Sequence, residues 1–99
     1  MIAQLTKVVN LRRDKYDIYI SRGSKWGNPF VMKNHTKEER DRVCEEYEKW
    51  FWTTDLPNQI GELRGKILGC YCKPLRCHGD FLAIVADGRD AECMMKIKP

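Results

Sequence analysis

Three cysteines and a histidine fall within nine residues, in the run Gly69-Cys70-Tyr71-Cys72-Lys73-Pro74-Leu75-Arg76-Cys77-His78-Gly79-Asp80. Thiols and an imidazole held this close suit a metal site or a reactive pocket. Cys70, Cys72, Cys77 and His78 make a Cys3His set, a combination that holds structural zinc. The spacing C-x-C-x4-C-H is not that of the familiar fingers. The same residues also read without metal. Cys77 at a helix N-terminus would gain thiolate character from the free N–H groups there. Cys72 or Cys77 would then be a nucleophile, with His78 or Asp80 as its acid–base partner. Asp80 also reads as a favourable charge at a helix start, and that is its better reading on residue type. In the third reading the cysteines are small buried residues of a core strand.

A second group lies in Arg22-Gly23-Ser24-Lys25-Trp26-Gly27-Asn28-Pro29. Arg22, Ser24, Lys25 and Asn28 bring donors to a loop in which Gly23 and Gly27 permit positive φ and close approach of a ligand. Trp26 offers a ring for a base or sugar. Together they suit a phosphate or nucleotide cradle, although the pattern is not a P-loop. The alternative is a turn in which Trp26 and Phe30 plug the core. Asn10 and Arg12, at the end of a first strand, are polar residues where α/β sheets place ligands. They also read as a turn residue and a surface charge. Cys44 sits on an apolar helix face, His35 precedes a helix cap, and nothing places Cys93.

These residues must be positioned by elements that the pattern predicts. Lys7–Leu11 reads as a short strand and Tyr16–Ile20 as a second, with Arg12–Lys15 a hairpin turn or longer loop. Thr36 with Glu39 forms a capping box, so a helix starts near Lys37 and ends near Trp52 or Thr53. Its apolar face is Val43, Cys44, Tyr47, Trp50 and Phe51; its charged face is Glu38, Arg42, Glu45, Glu46, Glu48 and Lys49. Leu56, Ile60 and Leu63 indicate a shorter helix, with Pro57 in its first turn and Gly65 beyond its end. Lys66–Cys72 reads as a third strand, and a helix runs from Cys77 or His78 to near Gly88. The order β-β-α-α-β-α predicts one small α/β domain over residues 1–99, with helices on a short mixed sheet. The core spans about residues 7–88, and the tail 89–99 adds an edge strand or stays loose.

No apolar run approaches the roughly 20 residues of a membrane span, and the N-terminus lacks the pattern of a signal peptide. The expectation is a cytoplasmic chain without a membrane partner. In that reducing setting five cysteines are thiols or ligands rather than disulfides. The net charge of +4 is uneven. Residues 1–35 carry seven Lys/Arg against two Asp, and residues 36–65 carry five against eight carboxylates. The basic excess suits an anionic ligand, although on charge alone it reads first as an aid to solubility.

Val8–Arg12, Asp17–Phe30 and Leu68–Asp80 together resemble the domain-of-unknown-function family 4326, found in bacteria and many bacteriophages. The resemblance covers roughly residues 7–87. It departs at Ser21, where the family often has glycine, and after Gly88. A weaker similarity, to the uncharacterised family 488, rests on a strand ending in Cys with Pro and Cys-His opening a helix. It implies a Rossmann-like layout with a pocket at the strand–helix junction. Neither family carries an activity. The leading expectation is a phage-type domain binding a nucleotide or nucleic acid, with zinc at the Cys/His cluster. The first alternative is a cysteine-dependent enzyme acting on nucleotides or DNA bases. The second is a module that binds a host protein through an exposed patch such as Trp52.

Overall fold

The computed structural model describes residues 5–88; the tail at 89–99 lies outside the described residues. Three strands form one sheet: β1 (Lys7–Asn10), β2 (Ile18–Tyr19) and β3 (Ile67–Cys70), in the order β1-β3-β2. The α/β class and the element order match expectation. The sheet itself is not mixed, because both pairings are parallel, and the 12–15 link is not a hairpin. The reason is burial. Leu68 and Cys70 are fully buried, so β3 takes the centre and hydrogen-bonds on both sides. β2 keeps only two paired residues at the edge. Asp17 N–H donates to the Ile67 carbonyl at 2.7 Å, and Asp17 Oδ2 accepts from Ile67 N at 2.8 Å.

Helix α1 (Lys37–Phe51) starts at Thr36, whose hydroxyl accepts from Glu39 N at 3.2 Å. Only half of the predicted capping box forms. Glu39 instead accepts from Lys33 N at 2.8 Å and pairs with Arg42, and Thr36 N donates to Asn34. Val43, Cys44, Tyr47 and Phe51 are buried, as their spacing predicts. The next apolar segment divides into α2 (Leu56–Gln59) and a 3-10 turn (Ile60–Leu63), and Gly65 beyond it has φ +76°.

Helix α3 (His78–Ala86) packs on the sheet at Gly79. A Cβ at Gly79 would lie 2.6 Å from Ile20 Cδ1 and 3.0 Å from Val8 Cγ1. Glycine there lets the helix start descend onto β1 and the end of β2. Thr6 closes the domain, its hydroxyl donating to Asp87 at 2.7 Å. The residues that share one core are Ile20, Trp26, Tyr47, Phe51, Leu63, Leu68, Cys70 and Leu82. No helix among the described residues is long and apolar enough to cross a membrane.

Candidate functional site

Parallel strands end together, and open α/β sheets take ligands at their carboxyl ends. Here that edge is formed by Asn10, Tyr19 and Cys70, followed by the 21–28 loop and the 71–77 turn. A cavity of about 290 Å³ opens between this edge and α1. Tyr19, Tyr71, Cys72 and three arginines, Arg22, Arg40 and Arg76, lie on its wall.

The Cys/His cluster stands at the inner wall. Cys70 and Cys77 are buried with their Sγ atoms 3.2 Å apart. Cys72 is half-buried on the cavity. Hydrogen bonds from the Cys72 and Cys77 thiols lower the Cys70 pKa. The same contacts with Cys70, followed by burial, raise those of Cys72 and Cys77. Cys77 does cap α3, yet the thiolate character expected of it falls to Cys70. Of the three, Cys70 is the one whose pKa is lowered, while that of the cavity-facing Cys72 is raised.

His78 is engaged by the backbone. Its Nε2 lies 2.7 Å from the Ile20 carbonyl. A carbonyl only accepts, so Nε2 carries the proton. The ring packs 4.9 Å from that of Tyr47, and burial lowers the His78 pKa. The expected Cys3His arrangement is thus not assembled: among the described residues no group of three or more His, Cys, Asp or Glu is placed to hold a metal ion. Asp80 is also committed. Its Oδ2 accepts from Cys77 N at 3.3 Å, and it pairs with Lys73. Both His78 and Asp80 tie the start of α3 in place.

The expected ligand contacts divide between loop supports and free groups. Asn10 donates to the Lys73 carbonyl at 2.7 Å and accepts from Arg12 N at 2.9 Å, so it joins two loops. Asn28 donates to the Val43 carbonyl at 2.9 Å and accepts from Phe30 N at 2.8 Å, which seats the loop on α1. Trp26 is 3% exposed and its carbonyl accepts from Tyr47 OH at 2.8 Å, so it plugs the core rather than offering a face. Lys25 turns outward to Glu62 at 2.9 Å and lies outside the cavity wall. Ser24 Oγ donates to the Ser21 carbonyl at 2.8 Å, and Gly23 turns the chain at φ +95°. Gly27 is required by contact, since a Cβ there would sit 2.8 Å from Ser21 O. Arg12 lies over the Tyr71 ring, 5.0 Å from its centroid.

Arg22 remains free at the cavity mouth, and two arginines missing from the expected set join it. Arg76 is held by Asp41 at 3.1 Å and Glu48 at 3.2 Å. Arg40 is half-buried and its polar neighbour is Met32 Sδ at 3.9 Å. Neither Arg22 nor Arg40 has a carboxylate partner among the described residues. Arg40 was legible: it precedes Val43 and Cys44 by three and four residues, which puts it on the buried face of α1.

The family model described as "Domain of unknown function (DUF4326)" matches residues 3–88. An "Uncharacterized 12.4 kDa protein in nrdA-td intergenic region" of Enterobacteria phage T4 is 35% identical over 91 residues, covering 87% of this chain and 82% of the relative. "Uncharacterized protein R718" of Acanthamoeba polyphaga mimivirus is 37% identical over 99 residues, covering 76% of this chain and 75% of the relative. No solved structure matches the chain.

Proposed function

This chain belongs to the DUF4326 family, and we propose that it binds a phosphate-bearing ligand of nucleotide size in the cavity at the carboxyl edge of its sheet. One observation carries the reading. Arg22 and Arg40, from a loop and a helix, converge on one small cavity without carboxylate partners among the described residues. Guanidinium groups are weakly hydrated forks suited to phosphate oxygens, and leaving two of them unpaired on a partly apolar wall favours an anion there. Tyr19 and Tyr71 supply ring surface for a base beside them. At about 290 Å³ the cavity is at the small end of the range for ligand sites. A mononucleotide fits that scale better than a larger cofactor. Calorimetric titration with nucleoside mono-, di- and triphosphates, the free nucleoside and inorganic phosphate tests it. Phosphorylated nucleosides should bind at least about tenfold tighter than the free nucleoside, the worth of one charge-assisted contact. Equal binding of both would sink the reading.

The sulfurs support a second reading, thiol chemistry in the same cavity. Cys72 is the sulfur that combines partial exposure with a place on the wall. Its raised pKa leaves only a minor thiolate fraction to act as the nucleophile. Alkylation followed by peptide mapping would show Cys72 labelling fastest, and more slowly with nucleotide bound beside it. Zinc at Cys70, Cys72 and Cys77 would require the three sulfurs to move from the arrangement seen here, in which they are not placed as ligands. About one zinc per chain by elemental mass spectrometry would assign it.

A further inference from the structure

The two faces of the sheet differ in what covers them. Leu68, Cys70, Val8 and Ile20 point to α3. Gly69 alternates with Leu68 and Cys70, so its open side faces the other way. Tyr19 and Val9 are the register partners of Gly69 and share that side. The Tyr16 ring lies directly over Gly69, where a Cβ would meet Tyr16 Cγ at 2.6 Å. Tyr71 follows on the same side and meets Tyr19 edge-on, at 6.4 Å and 83°. Tyr16 and Tyr71 are nevertheless 42% and 49% exposed. Three tyrosines thus stand around a glycine on one sheet face, with Arg12 over the outermost ring.

The segment that carries two of these rings is basic. The segment 11–22 carries Arg12, Arg13, Lys15 and Arg22 against Asp14 and Asp17. Asp17 is occupied by Ile67 N, and none of the four cations pairs with a carboxylate among the described residues. Exposed rings interleaved with unpaired cations on a sheet are the chemistry that holds unstacked bases and a phosphate backbone. A duplex keeps its base faces stacked and offers nothing to these rings.

We propose that this face is a platform for single-stranded nucleic acid, with bases stacking on Tyr16 and Tyr71 and phosphates met by Arg12 and Arg22. It names the ligand class of the cavity reading and rests on it only for the one nucleotide that enters past Tyr19 and Tyr71. Tyr16 lies outside the cavity wall, which separates the two ideas.

The test is fluorescence anisotropy of the full chain with labelled 12-nucleotide single strands of DNA and RNA, and with duplexes of the same sequences. Mononucleotide affinity is measured beside it. At least one single strand should bind about tenfold tighter than either duplex and than the mononucleotide. Tyr16→Leu, which keeps apolar cover on Gly69, and Arg12→Gln should each weaken the strand about fivefold or more, and Tyr16→Leu should leave mononucleotide affinity unchanged. Unchanged melting shows that the variants fold. A duplex bound as tightly as its single strand, or strand affinity untouched in both variants, overturns the platform. Loss of mononucleotide binding with Tyr16-dependent strand binding intact overturns the cavity reading and leaves the platform standing.

Discussion

The turn from β3 into α3 and the loop that follows β2 meet at one cavity and use their polar residues in opposite ways. In the β3–α3 turn nearly every group is spent inside the protein. His78 donates to Ile20, Asp80 accepts from Cys77 N and pairs with Lys73, and Cys70 and Cys77 meet each other. After β2 the turn supports are Ser24 and Asn28, and Arg22 is left over. The residues richest in chemistry by type build the joint. The plain cation is what remains for a ligand. Residue type proposes chemistry, but partners already made decide whether it is still available.

The contrast can be broken first at the joint. Gly79→Val drives a branched side chain into Ile20 and Val8. It should cost about 3 kcal/mol, as overpacking of a rigid contact does, read as a lower midpoint in urea unfolding. A full-stability variant would show that α3 is not seated there. His78→Ala comes next. It leaves the Ile20 carbonyl unpaired and a void beside Tyr47, and should cost about 2 kcal/mol.

The same histidine gives the joint a pH signature. Burial lowers the His78 pKa below 6.5, so the unfolded chain binds a proton that the folded chain refuses. Stability is then full above about pH 6.5 and falls as pH drops below it. Melting temperatures between pH 7.5 and 5 should show that slope in the parent chain and a shallower one in His78→Ala. Parallel slopes would contradict the buried neutral imidazole.

Two smaller effects sharpen the other side of the comparison. Arg40→Ala should weaken nucleotide binding about tenfold, equivalent to ~1.4 kcal/mol, and shift the unfolding midpoint little. Lys25→Ala removes an exposed pair with Glu62. It should change stability by less than ~0.5 kcal/mol and affinity not at all. A Lys25 variant that lost affinity would move the ligand from the cavity to the outer loop.

Much of the fold was legible because its signals are local. Thr36 starts α1, Pro57 and Gly65 bracket the next helical segment, and Cys77 caps α3. The strand pairing was not legible, because short apolar runs such as Val8-Val9 and Ile18-Tyr19-Ile20 carry no information on which neighbour they choose. Burial of Leu68 and Cys70 decides that, and burial is a property of the whole chain. At the candidate site, the motif run located a strand–helix junction but not how its side chains are partnered. Whether His78 faces sulfur or the Ile20 carbonyl depends on how α3 lands on β2, which Gly79 sets. Arg22 is legible as a loop cation, and Arg40 lies inward on α1 by a spacing that its charged neighbours mask.

On the proposed reading, the ligand enters between Arg22 and Arg40 at the carboxyl edge of the sheet. Two-dimensional NMR of the uniformly labelled chain, titrated with a nucleoside monophosphate, tests this most directly. Saturable shifts in the amides of Ser21, Arg22, Arg40 and Tyr71–Cys72, lost in Arg40→Ala, are the predicted result. Saturable shifts confined to α2, the 3-10 turn and the far end of α3 would contradict it.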